Sequence, residues 1–132
     1  MTQEDIRAEK ARRVREWRHK NPERAKQIKK NWIAKNRDQY LQSMRNQQLK
    51  IRYGITLDDF NKMFVEQSGK CKICGREGGE DNRTRLVVDH DHTTSIIRGL
   101  ICQPCNAMVG MSAESPDTLR NAAKYLETYG LK

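Results

Sequence analysis

Four cysteines in the second half of this 132-residue chain, Cys71, Cys74, Cys102 and Cys105, form two Cys-x-x-Cys pairs with twenty-seven residues between them. No other feature restricts the fold as strongly. The N-terminal MTQEDIRAEK has no apolar segment of signal-peptide type, and no run approaches the roughly 20 apolar residues that cross a bilayer, so an intracellular, reducing location is expected. There, two such pairs are metal ligands rather than disulfides. Zinc in a structural site takes four ligands in a tetrahedron, and thiolates two residues apart supply two of them with little backbone strain. The spacing therefore predicts one structural Zn2+ ion. Only 36% of the residues are hydrophobic and 33% are charged, so the core must be small. Metal-binding free energy then becomes folding free energy.

Just ahead of the second pair stand Asp89, His90, Asp91 and His92, and Asn106 directly follows Cys105. Either all of these groups serve one metal with the thiols, or two metal jobs lie side by side. If four thiolates complete the zinc, the Asp-His run is released for other work. On an extended strand Asp89 and Asp91 point one way and His90 and His92 the other, so one ion bound by all four would require a bend. Carboxylate and amide oxygens are hard ligands suited to a water-rich Mg2+ or Mn2+ ion, and a neutral imidazole beside them could take a proton from water. With a cation to offset charge on a pentavalent phosphate, these are parts for phosphodiester hydrolysis. The bland alternative is a polar strand end with surface hydrogen bonds.

Charge points to the same substrate class. The net charge is +9, but residues 1 to 54 hold sixteen Lys or Arg against six Asp or Glu, while residues 55 to 132 hold ten against eleven. A basic block of this kind suits a polyanion, and without an obvious apolar stripe nucleic acid is favoured over lipid. Phosphate contacts are expected from Arg12, Arg13, Arg15, Arg18, Lys26, Lys29 and Lys30, and from Arg98 outside the block. A solvated helix with surplus charge is the plainer reading.

Residues 5 to 53 contain no glycine and few strand formers, and read as helix with one or two breaks. Asn21-Pro22-Glu23 opens a new helix. A weak repeat, WRHKNPERAKQ and WIAKNRDQYLQ, places Trp17 and Trp32 fifteen residues apart. Packing is the ordinary role for both indoles; a homodimer formed through Trp17, Trp32 and Tyr40 is the other. TLDD at Thr56 is a capping box, and Leu57, Phe60, Met63 and Phe64 on the helix behind it are core. Residues 69 to 105 read as short strands and turns: a knuckle in GKCKICG, a strand in TRLVVDHDH, and a return through IIRGLIC. A helix follows, starting at or just after the second knuckle, around Asn106. Ser115-Pro116-Asp117 opens the last helix, whose Leu119, Ala122, Ala123 and Leu126 form a core stripe with Gly130 beyond its end.

Taken in order, GKCKICG, VDHDH and RGLICQPCN, within residues 69 to 106, resemble the recombination endonuclease VII family of phage nucleases, in the wider HNH or His-Me finger group. The resemblance implies an α+β fold with a zinc-stapled ββα-metal core: two antiparallel strands and a helix around one divalent cation. A basic N-terminal helical arm, residues 1 to 54, would precede the core, and residues 55 to 132 would hold the nuclease domain with its C-terminal helix. By motif position Asp89 and Asn106 correspond to ligands of the catalytic Mg2+ or Mn2+, and His90 to the base that activates water. His92 would contact the scissile phosphate or stabilise the leaving group. No role is argued for Asp91. The junction-resolving member has an acid one helical turn after the Asn, where this chain has Val109. The implied activity is nicking of DNA, one strand per site, in the host cytoplasm for a phage-encoded chain. The competing reading is a non-catalytic zinc-ribbon binding module, which needs the cysteines and the charge but not Asp89, His90 and Asn106 together.

Overall fold

The computed structural model describes residues 1 to 130 and divides into two compact units, Met1–Arg45 and Asn46–Lys132. The first unit holds α1 (Gln3–Lys20), α2 (Pro22–Lys35) and the start of α3 (Arg37–Tyr53). Thr2 and Asp5 form a capping box at the head of α1. The helix stops at Asn21, whose backbone N–H and side-chain amide both donate to the Trp17 carbonyl at 2.9 Å. Asn36 repeats the device on Trp32 with the same two distances. The internal repeat is therefore a repeated helix stop: Asn satisfies the carbonyl four residues back that the broken helix would leave orphaned. Trp17 and Trp32 line one groove across the first break with Val14, Pro22, Ala25 and Ile28. No residue of α1 or α2 is buried.

The second unit contains the rest of α3, then α4 (Leu57–Glu66), β1 (Leu86–His90), β2 (Ile97–Cys102), α5 (Gln103–Met111) and α6 (Pro116–Thr128). Among the described residues this makes an α+β chain of six helices and one two-stranded sheet. Residues 46 to 54, placed with the arm on charge, group with this unit. Leu49 is buried in its core, Tyr53 packs against it, and the Asn46 side-chain oxygen accepts from the Leu57 N–H at 2.8 Å. Charge composition could not locate that division, because the apolar residues that decide it sit among cations.

The core comprises Leu49, Phe60, Leu86, Val88, Leu100 and Ile101, joined by Cys71, Cys102 and Cys105. Thr56 and Asp59 complete the capping box that starts α4. Its Phe60 is buried and Leu57 and Met63 pack against the core, but Phe64, expected there too, is exposed, packing only under Gly69 at φ +67° at the α4 terminus. Strands β1 and β2 run antiparallel from Leu86 opposite Cys102 to His90 opposite Ile97.

Two expectations need correction. Helix α5 starts at Gln103, three residues before Asn106, because Cys102 takes the N-cap and Pro104 is tolerated in a first turn whose N–H groups lack helical partners. The α6 stripe is not core: Leu119 is half-buried, and Ala122, Ala123 and Leu126 are exposed. The core is closed by α3, α4, α5 and the hairpin, so α6 rests on its caps: Ser115 accepts from the Thr118 N–H, and Pro116 opens the helix. No helix among the described residues is long and apolar enough to cross a membrane.

Candidate functional site

The four thiols converge. One sulfur from each of Cys71, Cys74, Cys102 and Cys105 lies within 4.8 Å of the others, and none is in a disulfide. A Zn–S length of about 2.3 Å gives a tetrahedron edge of about 3.8 Å, and the Cys74 and Cys102 sulfurs are 3.7 Å apart. The donor set and its spacing fit a zinc ion.

Local structure explains how the sulfurs meet. The first knuckle turns tightly, with the Gly75 N–H donating to the Cys71 carbonyl and Gly75 at φ +70°. It lies on β2 through the Lys72 N–H to the Leu100 carbonyl. Cys102 caps α5 and Cys105 sits in its first turn, so the second pair is fixed by the helix start. The thiols are electrostatically mismatched. Burial opposes ionisation of Cys71, but N–H groups of Cys102, Cys74 and Ile73 outweigh it and bring the thiol down to about 6. Burial and the neighbouring sulfurs push Cys105 up. Such a cluster ionises fully when a cation sits among the sulfurs.

At the end of β1 the pairing with β2 becomes irregular. The antiparallel register shifts between Asp89 and His90: Asp89 faces Gly99 and His90 faces Ile97, so Arg98 is the extra residue of a β-bulge. A bulge redirects the side chain it releases. Arg98 reaches across to Asp89, its Nε at 2.8 Å from Oδ2 and a terminal nitrogen at 3.0 Å from Oδ1, and it also donates to the His90 carbonyl at 3.2 Å. Arg98, assigned to phosphate on composition, is thus held inside the site in this structure, and its pairing with Asp89 raises its already high pKa.

The imidazoles of His90 and His92 lie together, ring centroids 4.8 Å apart, and Tyr53 from α3 meets His90 edge-on at 5.3 Å. Asp91 leaves the strand and closes a turn instead. Its Oδ1 accepts from the N–H groups of Thr93 and Thr94 at 2.8 and 2.7 Å, and those bonds hold its carboxyl below the usual range. That is the structural role the sequence reading left open. Asn106 is half-buried in the first turn of α5, which packs on both strands.

Glu114 was not foreseen. From the turn between α5 and α6 its carboxylate reaches His92 Nδ1 at 3.4 Å and the Arg98 guanidinium at 3.3 Å. It lies eight residues beyond Asn106 and outside any helix, so no periodicity flags it; Val109, one turn after Asn106, carries no acid. Tyr53 was detectable in principle, four residues after Leu49 on one face of α3. Of the expected phosphate contacts in the first unit, Arg12, Arg13, Arg15, Arg18, Lys26, Lys29 and Lys30 are all exposed. Arg12 also pairs loosely with Glu9 and Glu16, and Lys26 more closely with Glu23.

Asp89 and Asn106 are the residues whose carboxylate and amide oxygens could hold a second ion. Each Asp89 oxygen bound by Arg98 keeps a further lone pair. Among the described residues the thiols are the only cluster of three or more Cys, His, Asp or Glu side chains that could hold an ion. A cation here would therefore keep several waters, as Mg2+ prefers.

Comparison with known proteins gives a consistent picture. The family model of recombination endonuclease VII matches residues 46 to 128. The Gene 59 protein of Mycobacterium phage D29 is 43% identical over 75 residues, covering 56% of this chain and 44% of that protein. The Gene 59 protein of Mycobacterium phage L5 is 41% identical over 75 residues with the same coverage. The match spans less than half the length of these relatives.

Proposed function

The chain belongs to the recombination endonuclease VII family, and we propose that it is a phage-type, divalent-metal-dependent DNA endonuclease with a ββα-metal core that nicks one strand per site. The observation that carries this reading is the gathering of Asp89, His90 and His92 at one strand end, beside a helix that bears Asn106 and is anchored by two of the clustered thiols.

In this reading Asp89 and Asn106 hold Mg2+ or Mn2+. When bound, the cation supplies positive charge against the developing pentavalent phosphate and the leaving oxygen. His90, met edge-on by Tyr53, would take the proton of the attacking water. His92 would contact the scissile phosphate or stabilise the leaving group. Arg98 fixes the Asp89 carboxylate, and zinc on the four thiols holds α5 and hence Asn106. The exposed cations of α1 and α2 add phosphate contacts that carry affinity rather than sequence preference.

The test is supercoiled plasmid incubated with the zinc-loaded chain and Mg2+ or Mn2+. Nicked circles are expected, with His90→Ala abolishing them while DNA binding stays within a few fold. His90→Ala cutting at the wild-type rate would remove the mechanism. Wild-type binding with no cutting under either metal would leave a non-catalytic zinc-ribbon module.

A further inference from the structure

Resting on that reading of Asp89, we propose that Glu114 is a positioning residue for the catalytic cation: through Arg98 it sets the charge at Asp89, and through His92 it orients the second imidazole.

Arg98 donates to both oxygens of Asp89, and a side chain only 13% exposed binds that guanidinium tightly. By itself this pair is neutral, a poor site for a dication. Glu114 changes the balance. Its two oxygens meet the terminal nitrogens of the same guanidinium at 3.3 and 3.4 Å, so Asp89, Arg98 and Glu114 together carry one negative charge. The Glu114 carboxylate also lies 3.4 Å from His92 Nδ1, where it favours the tautomer that leaves Nε2 to face outward.

The backbone supplies an independent observation. Ala113 and Glu114 are consecutive non-glycine residues at φ +53° and +56°. Left-handed backbone is costly for an L-residue and persists where surrounding contacts over-determine it, as at functional sites. Here the turn closes α5 through the Ala113 N–H to Gly110 and the Glu114 N–H to Val109, and those bonds present the carboxylate to Arg98 and His92. A helix running on past Met111 would carry residue 114 along its own axis.

The experiment compares the full zinc-loaded chain with Glu114→Gln, which keeps the shape and removes the charge, and Glu114→Asp, which keeps the charge. Mn2+ binding is measured by calorimetry, independently of cleavage. Removing one negative charge several ångströms from a dication at a partly buried site weakens its binding by about tenfold. Glu114→Gln should therefore raise the Mn2+ Kd about tenfold and Glu114→Asp should recover most of it, with zinc content and thermal midpoint unchanged. The plasmid KM should stay within twofold while kcat falls. A Mn2+ Kd unchanged in Glu114→Gln, or a wild-type chain that binds no Mn2+, would overturn the proposal. Normal Mn2+ behaviour with no plasmid nicking would instead overturn the nuclease reading and leave this one standing.

Discussion

Removing zinc should unfold the second unit. Its core offers six apolar side chains besides the cysteines: Leu49, Phe60, Leu86, Val88, Leu100 and Ile101. At roughly 1.5–3 kcal/mol for each fully buried side chain, they contribute about 9–18 kcal/mol before any entropy is counted. A structural zinc on four thiolates contributes about 10–16 kcal/mol at neutral pH, as much as that whole core. Net stabilities of domains are about 5–15 kcal/mol, so losing the ion exceeds what remains. Stripping zinc with a chelator, or Cys102→Ser, should abolish the cooperative thermal transition seen by near-ultraviolet circular dichroism, with Tyr53, packed against the core, reporting. Metal analysis should give one zinc per chain before treatment and none after. A metal-free chain that still melts cooperatively at an unchanged midpoint would refute the claim that sulfur-bound metal stands in for core.

Other expectations follow from single contacts. If residues 1 to 54 neutralise about five to eight phosphates, log K for duplex DNA should fall with log salt at a slope of about −4 to −7; a flat response in filter binding would remove the arm from the interface. Thr56→Ala should cost about 1 kcal/mol by urea titration, because the hydroxyl that accepts from the Asp59 N–H and donates to its carboxylate is removed. Hydrogen bonds from Thr56 lower the Asp59 carboxyl, so its contribution is complete above the ordinary carboxylate pKa and is lost as pH falls through the depressed value. The Thr56→Ala penalty should accordingly be constant from about pH 6 to 9, and a penalty that changed across that window would point to another cause. Gly99→Ala should destabilise by about 1–2 kcal/mol: the residue sits at φ +150°, and a Cβ would lie 2.6 Å from the Lys72 side chain, whose ammonium donates to the Arg98 carbonyl at 2.9 Å. An unchanged melting temperature would contradict that.

Local chemistry was legible where one residue type does one job. Two Cys-x-x-Cys pairs announced a thiol cluster, TLDD and Ser115-Pro116 announced helix starts, and Leu86, Val88, Leu100 and Ile101 fell on the hairpin as their β-branched and apolar character suggests. What escaped depended on distant partners. The α6 stripe has the period of a buried face, but period does not say whether another element lies over it. The bulge at Arg98 had one signal in IIRGLIC, the isolated Gly99 beside it, but a lone glycine does not say which residue is the extra one. Gln67 escaped because its amide bridges the α4 terminus to the β2 backbone at Leu100, with two bonds of 2.8 and 2.9 Å, across thirty-three residues.

The same register shift links the sulfur cluster to the oxygen ligands. From Leu86 to Asp89 the ladder is regular, and Leu86 sits opposite Cys102, whose thiol belongs to the cluster and which caps α5. Moving β2 by one residue against β1 would turn Leu100, the most buried side chain, to the opposite face. It would also detach Arg98 from Asp89 at one end while displacing Cys102 from Cys74 at the other. On the proposed assignment, a zinc on the four thiols therefore fixes the register that the Asp89 carboxylate depends on. Mutations in the first knuckle should then act on Mg2+ dependence before they reach the point of unfolding, because a loosened tetrahedron shifts Asn106 and Asp89 relative to each other through α5 and β2.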